Sequence, residues 1–244
     1  MKRLIFALMI FSIVFASFDQ SYTHDMNRNG AATIEKTMDI SIFSGQLSKN
    51  AFTNMKQYCD NTMDIDCSVD VDKKTVTITE KFSSGIYYGF SADYGVPHTT
   101  YILEIERIPT NVFSQKLESI LVAIGEANAS NDNPNPINLR DQETNQNLVT
   151  TLEVLKVNIT YTVEMPSEID SASIGTAQGS TVTFDVVEAM KGSQPVVVVS
   201  KEINYGYLIA ILGIIVLLVV AYLFMISSKK RKPTETKKKR SVKK

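Results

Sequence analysis

Hydrophobic residues recur along this chain with three different periods. From 207 to 226 they do not alternate at all: YLIAILGIIVLLVVAYLFMI is 20 consecutive residues without a charge. At about 1.5 Å of rise per residue this is roughly 30 Å of helix, the thickness of a bilayer's hydrocarbon. A helix apolar on every face over this length suits lipid better than a globular core. Tyr205, Tyr207 and Tyr222 fall near its ends, where amphipathic rings favour the membrane interface.

Upstream, the pattern alternates between periods near two and near four. Met38, Ile40 and Ile42 alternate with polar residues over 32–44 and predict a half-buried strand. Leu47, Ala51, Met55 and Cys59 recur every fourth position and predict a helix over 48–59, with Ser48 as its cap. Ile65, Cys67, Val69 and Val71 share one face, and Val76 and Ile78 share a face after the Lys73-Lys74 turn, which predicts a hairpin over 64–82. Residues 86–109 are aromatic and Gly-punctuated and become a strand near 100–108. Phe113, Leu117, Ile120, Leu121 and Ile124 line one side of a helix over 110–127. Residues 128–147 show no apolar period and predict a polar loop or linker. Strands are predicted again over 152–166, 180–189 and 195–202, alternating through Val157, Ile159, Tyr161 and Val163, then Val182, Phe184 and Val186. This order predicts an α+β domain over 33–203, an antiparallel sheet with two helices on one face.

The charges change the picture by dividing the molecule. Whole-chain net charge is -1. Residues 17–206 carry 13 Lys and Arg against 25 Asp and Glu, a net −12, whereas 229–244 carry ten Lys and Arg against Glu235 alone. Basic flanks stay on the cytoplasmic side of a membrane. At the other end, Lys2 and Arg3 precede an apolar run from Leu4 to Ala16, with Val14 and Ala16 small at the positions before a cut. That layout reads as a signal peptide over 1–16, with a retained signal anchor as the alternative. The expectation is therefore a single-pass protein of the cell membrane. Its parts are a mobile segment at 17–32, an extracytoplasmic domain at 33–203, a span at 207–226 and a cytoplasmic tail at 227–244. Membrane lipids are the expected partners, with anionic headgroups at the tail. Nucleic acid is not expected there, because no aromatic residue is interleaved with the lysines.

Candidate chemistry is sparse. Cys59 and Cys67 are the only two cysteines, and helix and strand parity aim both at one interface. An exported domain permits a disulfide between them; free thiols are the alternative. Asp60, Asp64, Asp66, Asp70 and Asp72 are clustered, but their strand parity lays most of them on a solvated face, with no calcium-loop spacing. The only histidines are His24, in the segment expected to be mobile, and His98. No nucleophile-elbow, zincin or phosphate-loop motif occurs, so neither an enzyme nor a metal or cofactor is expected. Tyr87, Tyr88, Phe90, Tyr94 and Tyr101 are dense for a chain without Trp. They read as the lining of an apolar ligand pocket or as ordinary core packing. Asn128 and Asn158 each open an N-glycosylation pattern, and Asn158 faces outward if Val157 and Ile159 face inward. Gly206 and Ala210 form one small-residue pair at the start of the apolar run.

Residues 157–200 carry Met165-Pro166, Ile169, Gly175, Gly179 and Thr181-Val182-Thr183-Phe184. This series of strand, Pro-containing corner, Gly-rich hairpin and T-V-T-F strand resembles the closing strands of LppM-type secreted proteins. The early strand–helix–hairpin order is similar too. The resemblance implies an α+β ectodomain that holds lipid or glycolipid, and supplies no catalytic residue. The chain departs from that pattern in lacking a lipid-attachment Cys after the N-terminal apolar run and in ending on an apolar helix. The function expected is a membrane-anchored binding domain for a lipid, a glycan or an envelope protein. The alternative is a structural or assembly component of the cell envelope, and an extracytoplasmic hydrolase carries least weight.

Overall fold

The computed structural model describes residues 19–41, 44–45, 47–63, 65–127, 135–154 and 157–229. The expected signal peptide at 1–16, Asp64, Asn128 and the tail residues 230–244 lie outside them. The chain divides into two compact units. One comprises the residues up to Tyr94 with Thr99–Glu202, and the other comprises Gly95–His98 with the residues from Ile203 onward.

The first unit is mixed α+β. Its strands are β1 (Asp19–Met26), β2 (Ala32–Asp39), β3 (Cys67–Asp70), β4 (Thr75–Phe82), β5 (Tyr88–Tyr94), β6 (His98–Ile105), β7 (Arg107–Ile108), β8 (Ile137–Asn138), β9 (Asn158–Glu164), β10 (Ile169–Ala172), β11 (Thr176–Gln178), β12 (Thr181–Asp185) and β13 (Val196–Ile203). A seven-stranded sheet runs β11-β12-β9-β1-β2-β4-β3, a four-stranded sheet runs β10-β13-β6-β5, and β7 pairs with β8. The large sheet is antiparallel except where β1 and β9 run parallel. Helices α1 (Ala51–Asn61), α2 (Thr110–Ala123), α3 (Gln142–Val154) and α4 (Val186–Lys191) complete the unit.

Four expectations need correction. The segment expected to be mobile, 17–32, supplies β1, which pairs along its whole length with β2 and β9. Its inward positions are Gln20, Tyr22, His24 and Met26, and three polar-ended side chains hid a buried strand. The described residues contain five helices rather than the two helices and one span expected. One of the extra pair, α3, begins inside the expected polar loop, where the Asp141 carboxylate accepts from the Thr144 backbone N–H at 3.2 Å. Asn145, Val149 and Leu152 are its buried stripe, one turn apart, with a polar residue opening it. The strand expected over 180–189 stops at Asp185, whose carboxylate accepts from Val187 N–H at 2.7 Å and Glu188 N–H at 3.4 Å and so caps α4. Ser48 does not cap α1; its hydroxyl and backbone N–H both meet the Glu126 carboxylate, and Asn50 occupies the cap position.

The local expectations hold where they rest on short-range pattern. Ala51, Met55 and Cys59 are buried on α1, and the 64–82 hairpin turns at Lys73-Lys74, with Lys74 at a φ of 55°. Cys59 and Cys67 are bonded, with Cα atoms 5.3 Å apart, and tie α1 to β3.

The second unit contains α5 (Tyr205–Lys229). Residues Tyr205–Ser227 are long and apolar enough to cross a membrane, and none of that stretch is buried within the protein. Asn204 opens the helix: its side chain and its carbonyl accept from the Tyr207 N–H at 3.3 and 3.1 Å.

Candidate functional site

Strand register lines up one row of side chains across the covered face of the large sheet. Phe184 on β12 pairs with Tyr161 on β9, Tyr161 with Tyr22 on β1, Tyr22 with Lys36 on β2, and Lys36 with Ile78 on β4. All five are buried. Cross-strand neighbours stand close enough for their rings to meet. The rings of Phe184 and Tyr161 stack with centroids 5.2 Å apart, and those of Tyr161 and Tyr22 stack 5.4 Å apart. The Lys36 Nζ continues the stack, 5.0 Å from the Tyr22 centroid. Phe113, from the first turn of α2, meets the Tyr22 ring edge-on at 5.8 Å. A slab of three parallel rings thus ends in an amine.

The next inward residue of β1 extends the cluster. His24 is wholly buried, and its Nδ1 hydrogen-bonds the Tyr161 hydroxyl at 3.0 Å. Its ring meets the edge of Tyr88 at 4.9 Å. Tyr88 is satisfied, donating to the carbonyls of Gly30 at 3.0 Å and Phe82 at 3.1 Å.

The cluster's electrostatics follow from burial. Desolvation disfavours the charged form of every group here. It pulls the Lys36 amine down to about 7 and the His24 imidazole down to about 3. It pushes the Tyr88 phenol up to about 12 and raises the Tyr22 and Tyr161 phenols well above their ordinary range. Three side-chain atoms in the cluster are buried with no hydrogen-bond partner among the described residues: Lys36 Nζ, Tyr22 Oη and His24 Nε2. An unmade hydrogen bond of this kind costs about 1–3 kcal/mol each, and an unpaired buried charge costs more. Such groups are rare in folded proteins, and each calls for an explanation. The Lys36 amine and the Tyr22 phenol are donors to anionic or carbonyl oxygen, so the cluster is suited to receive an acidic group. Among the described residues no three His, Cys, Asp or Glu side chains gather where a metal ion could be held.

The aromatic residues singled out by the sequence do not form one lining. Tyr88 belongs to the buried cluster. Tyr87 is half-buried, packs edge-on against Phe82 at 5.2 Å, and its hydroxyl donates to Asn111 Oδ1 at 3.4 Å. Phe90 and Tyr101 stack at 6.1 Å in a separate group, where the Tyr101 hydroxyl donates to Glu202 at 3.0 Å. Arg28 pairs with the same carboxylate at 2.5 Å. Tyr94 is 72% exposed. Asn158 is exposed at the start of β9, between the buried Val157 and Ile159, as its parity predicts.

The buried row was not singled out as a site from the sequence, where Ile78, Tyr161 and Phe184 read only as strand-face positions. One signal was legible: Lys36 shares the parity of Ile34, Met38 and Ile40, so the strand that buries them buries Lys36. The row as a set has no local signal, because Tyr22 and Tyr161 lie 139 positions apart and meet only through the parallel β1–β9 pairing. Comparison with protein-family models, with curated proteins and with solved structures finds no match to this chain, and the cluster's own chemistry is what speaks for its role.

Proposed function

We propose that this chain is a single-pass membrane protein whose N-terminal domain, held outside the cell, binds a lipid or glycolipid through an acidic group that meets Lys36. The observation that carries the reading is Lys36 itself, a wholly buried amine with no hydrogen-bond partner among the described residues, set on an aromatic slab. A buried ammonium without a counter-charge is among the costliest groups in a protein interior. A carboxylate, phosphate or sulfate on a ligand would convert that cost into a charge-assisted hydrogen bond. The buried rings of Tyr22, Tyr161 and Phe113 are the apolar surroundings that such an amphiphile would meet beside the amine.

The membrane part of the reading rests on the apolar stretch of α5 and on the charge division. With the net −12 of residues 17–206 outside and the basic tail inside, the chain obeys the rule that Lys and Arg stay on the cytoplasmic side. The tail would then lie against anionic headgroups of the inner leaflet.

Native mass spectrometry of the full chain, extracted in mild detergent, tests this directly. An anionic amphiphile retained by the wild type and lost from Lys36→Met is the expected result. Wild type and Lys36→Met of bare polypeptide mass would overturn the binding reading. A stoichiometric protein complex without lipid would favour the structural role instead.

A further inference from the structure

The second unit joins a hairpin tip to the start of the apolar helix. Gly95–His98, the turn between β5 and β6 with the first residue of β6, belongs to that unit together with the residues from Ile203 onward. The Asn204 backbone N–H donates to the Pro97 carbonyl at 2.9 Å. Asn204 is also the residue that opens α5. The tip is therefore fastened by one hydrogen bond to the residue that precedes the helix.

The tip is apolar and uncovered. Val96 is 58% exposed and Pro97 is exposed, while Tyr94, where β5 ends, presents most of its ring. Residues 94–97 carry no Asp, Glu, Lys or Arg. On the helix, Tyr205 is exposed beside this tip's anchor point and is followed by Tyr207 and Leu208. Exposed aromatic and aliphatic groups at the end of a membrane helix are the composition of the headgroup–acyl boundary. A soluble turn is ordinarily built of Gly, Pro, Asn, Asp and Ser, so Gly95 and Pro97 are usual here and the exposed Val96 beside the exposed Tyr94 ring is what stands out.

We infer that the β5–β6 turn is a second membrane-contact element, with Val96 and Pro97 dipping into the headgroup–acyl boundary of the bilayer that α5 crosses. The occupant of this apolar tip is lipid, because the tip is continuous with the helix end that meets lipid in the reading above, on which this inference rests. Contact at two points would hold the turn against the membrane and hinder its rotation about the helix axis.

The chain contains no Trp, so a single introduced indole reports without background. The full chain is reconstituted in phosphatidylcholine vesicles in which a fraction of the lipid is brominated either near the glycerol end or near mid-chain. Val96→Trp should be blue-shifted and lose most of its emission to the shallow bromines, and little to the deep ones. Tyr94→Trp, a milder change on the neighbouring strand, should show the same order of quenching. Ile215→Trp, in the middle of the apolar stretch, should be quenched by the deep bromines. If Ile215→Trp is quenched while both tip variants stay red-shifted and open to aqueous acrylamide, the tip inference is overturned and the membrane span stands. If Ile215→Trp is not quenched either, the span fails and the tip inference falls with it.

Discussion

Replacing Lys36 by methionine keeps an unbranched side chain out to the ε position and removes the amine. In the folded protein burial pulls that amine from its ordinary 10.5 down to about 7. In the unfolded chain it titrates at the ordinary value. The unfolded state therefore binds more protons between those two values, so stability rises with pH across the window and the native state is penalised below it. Each pH unit between about 7 and 10.5 costs about 1.4 kcal/mol, so the full penalty below the folded value is about 5 kcal/mol. At pH 7, with half of the folded molecules charged, it is about 4 kcal/mol. Lys36→Met abolishes this term. The variant should be more stable than wild type at pH 7 by up to about 4 kcal/mol, with the gain shrinking steadily to nothing near pH 10.5. Urea unfolding of the delipidated full chain in detergent, followed by far-ultraviolet circular dichroism, measures both curves. Subtracting them cancels the other buried groups. Tyr22 and Tyr161, with raised values, lose stability only as the pH rises through the ordinary phenol range. His24, lowered to about 3, loses it as the pH falls from about 6.5. A difference that does not vary with pH, or a variant less stable than wild type at pH 7, would refute the isolated amine. If the proposed anionic ligand is bound and retained, the wild type should behave in that second way, because pairing cancels the penalty.

Three further outcomes follow from local geometry. Replacing Cys59 and Cys67 together by alanine opens a loop of eight positions, and chain entropy sets the loss at about 2.5 kcal/mol, read as a lower urea midpoint with an unchanged signal before unfolding. Gly175 sits at a φ of 93°, and a Cβ there would lie 2.4 Å from the Thr183 carbonyl oxygen. Gly175→Ala should destabilise by about 1–3 kcal/mol in the same assay, and an unchanged midpoint would count against this turn geometry. Asp185→Ala removes both bonds from the carboxylate to the first turn of α4 and should cost about 1 kcal/mol, whereas Asp185→Asn should recover most of it.

Elements that depend on neighbours along the chain were legible before any tertiary structure. Twenty uncharged residues in a row specify a helix able to cross a membrane, because no other backbone satisfies its own hydrogen bonds in hydrocarbon. The four-residue stripe of α1, the hairpin at Lys73-Lys74 and the inward parity of Val157, Ile159, Tyr161 and Val163 were legible for the same reason, since neighbours in sequence decide them. The Cys59–Cys67 bridge was legible because only eight positions separate its ends. What the tertiary structure alone decided is the centre of the molecule. β1 reads as a polar stretch, Asp-Gln-Ser-Tyr-Thr-His-Asp-Met, and becomes a central strand only because β2 and β9 supply hydrogen bonds on both of its edges. α3 opens on a polar turn, and its helical face becomes visible only once Asn145, Val149 and Leu152 are buried. The row of Phe184, Tyr161, Tyr22 and Lys36 draws on four strands scattered from residue 19 to residue 185. No window of sequence contains it, because register between distant strands is set by how whole faces pack, and that packing places an amine against the ring of Tyr22.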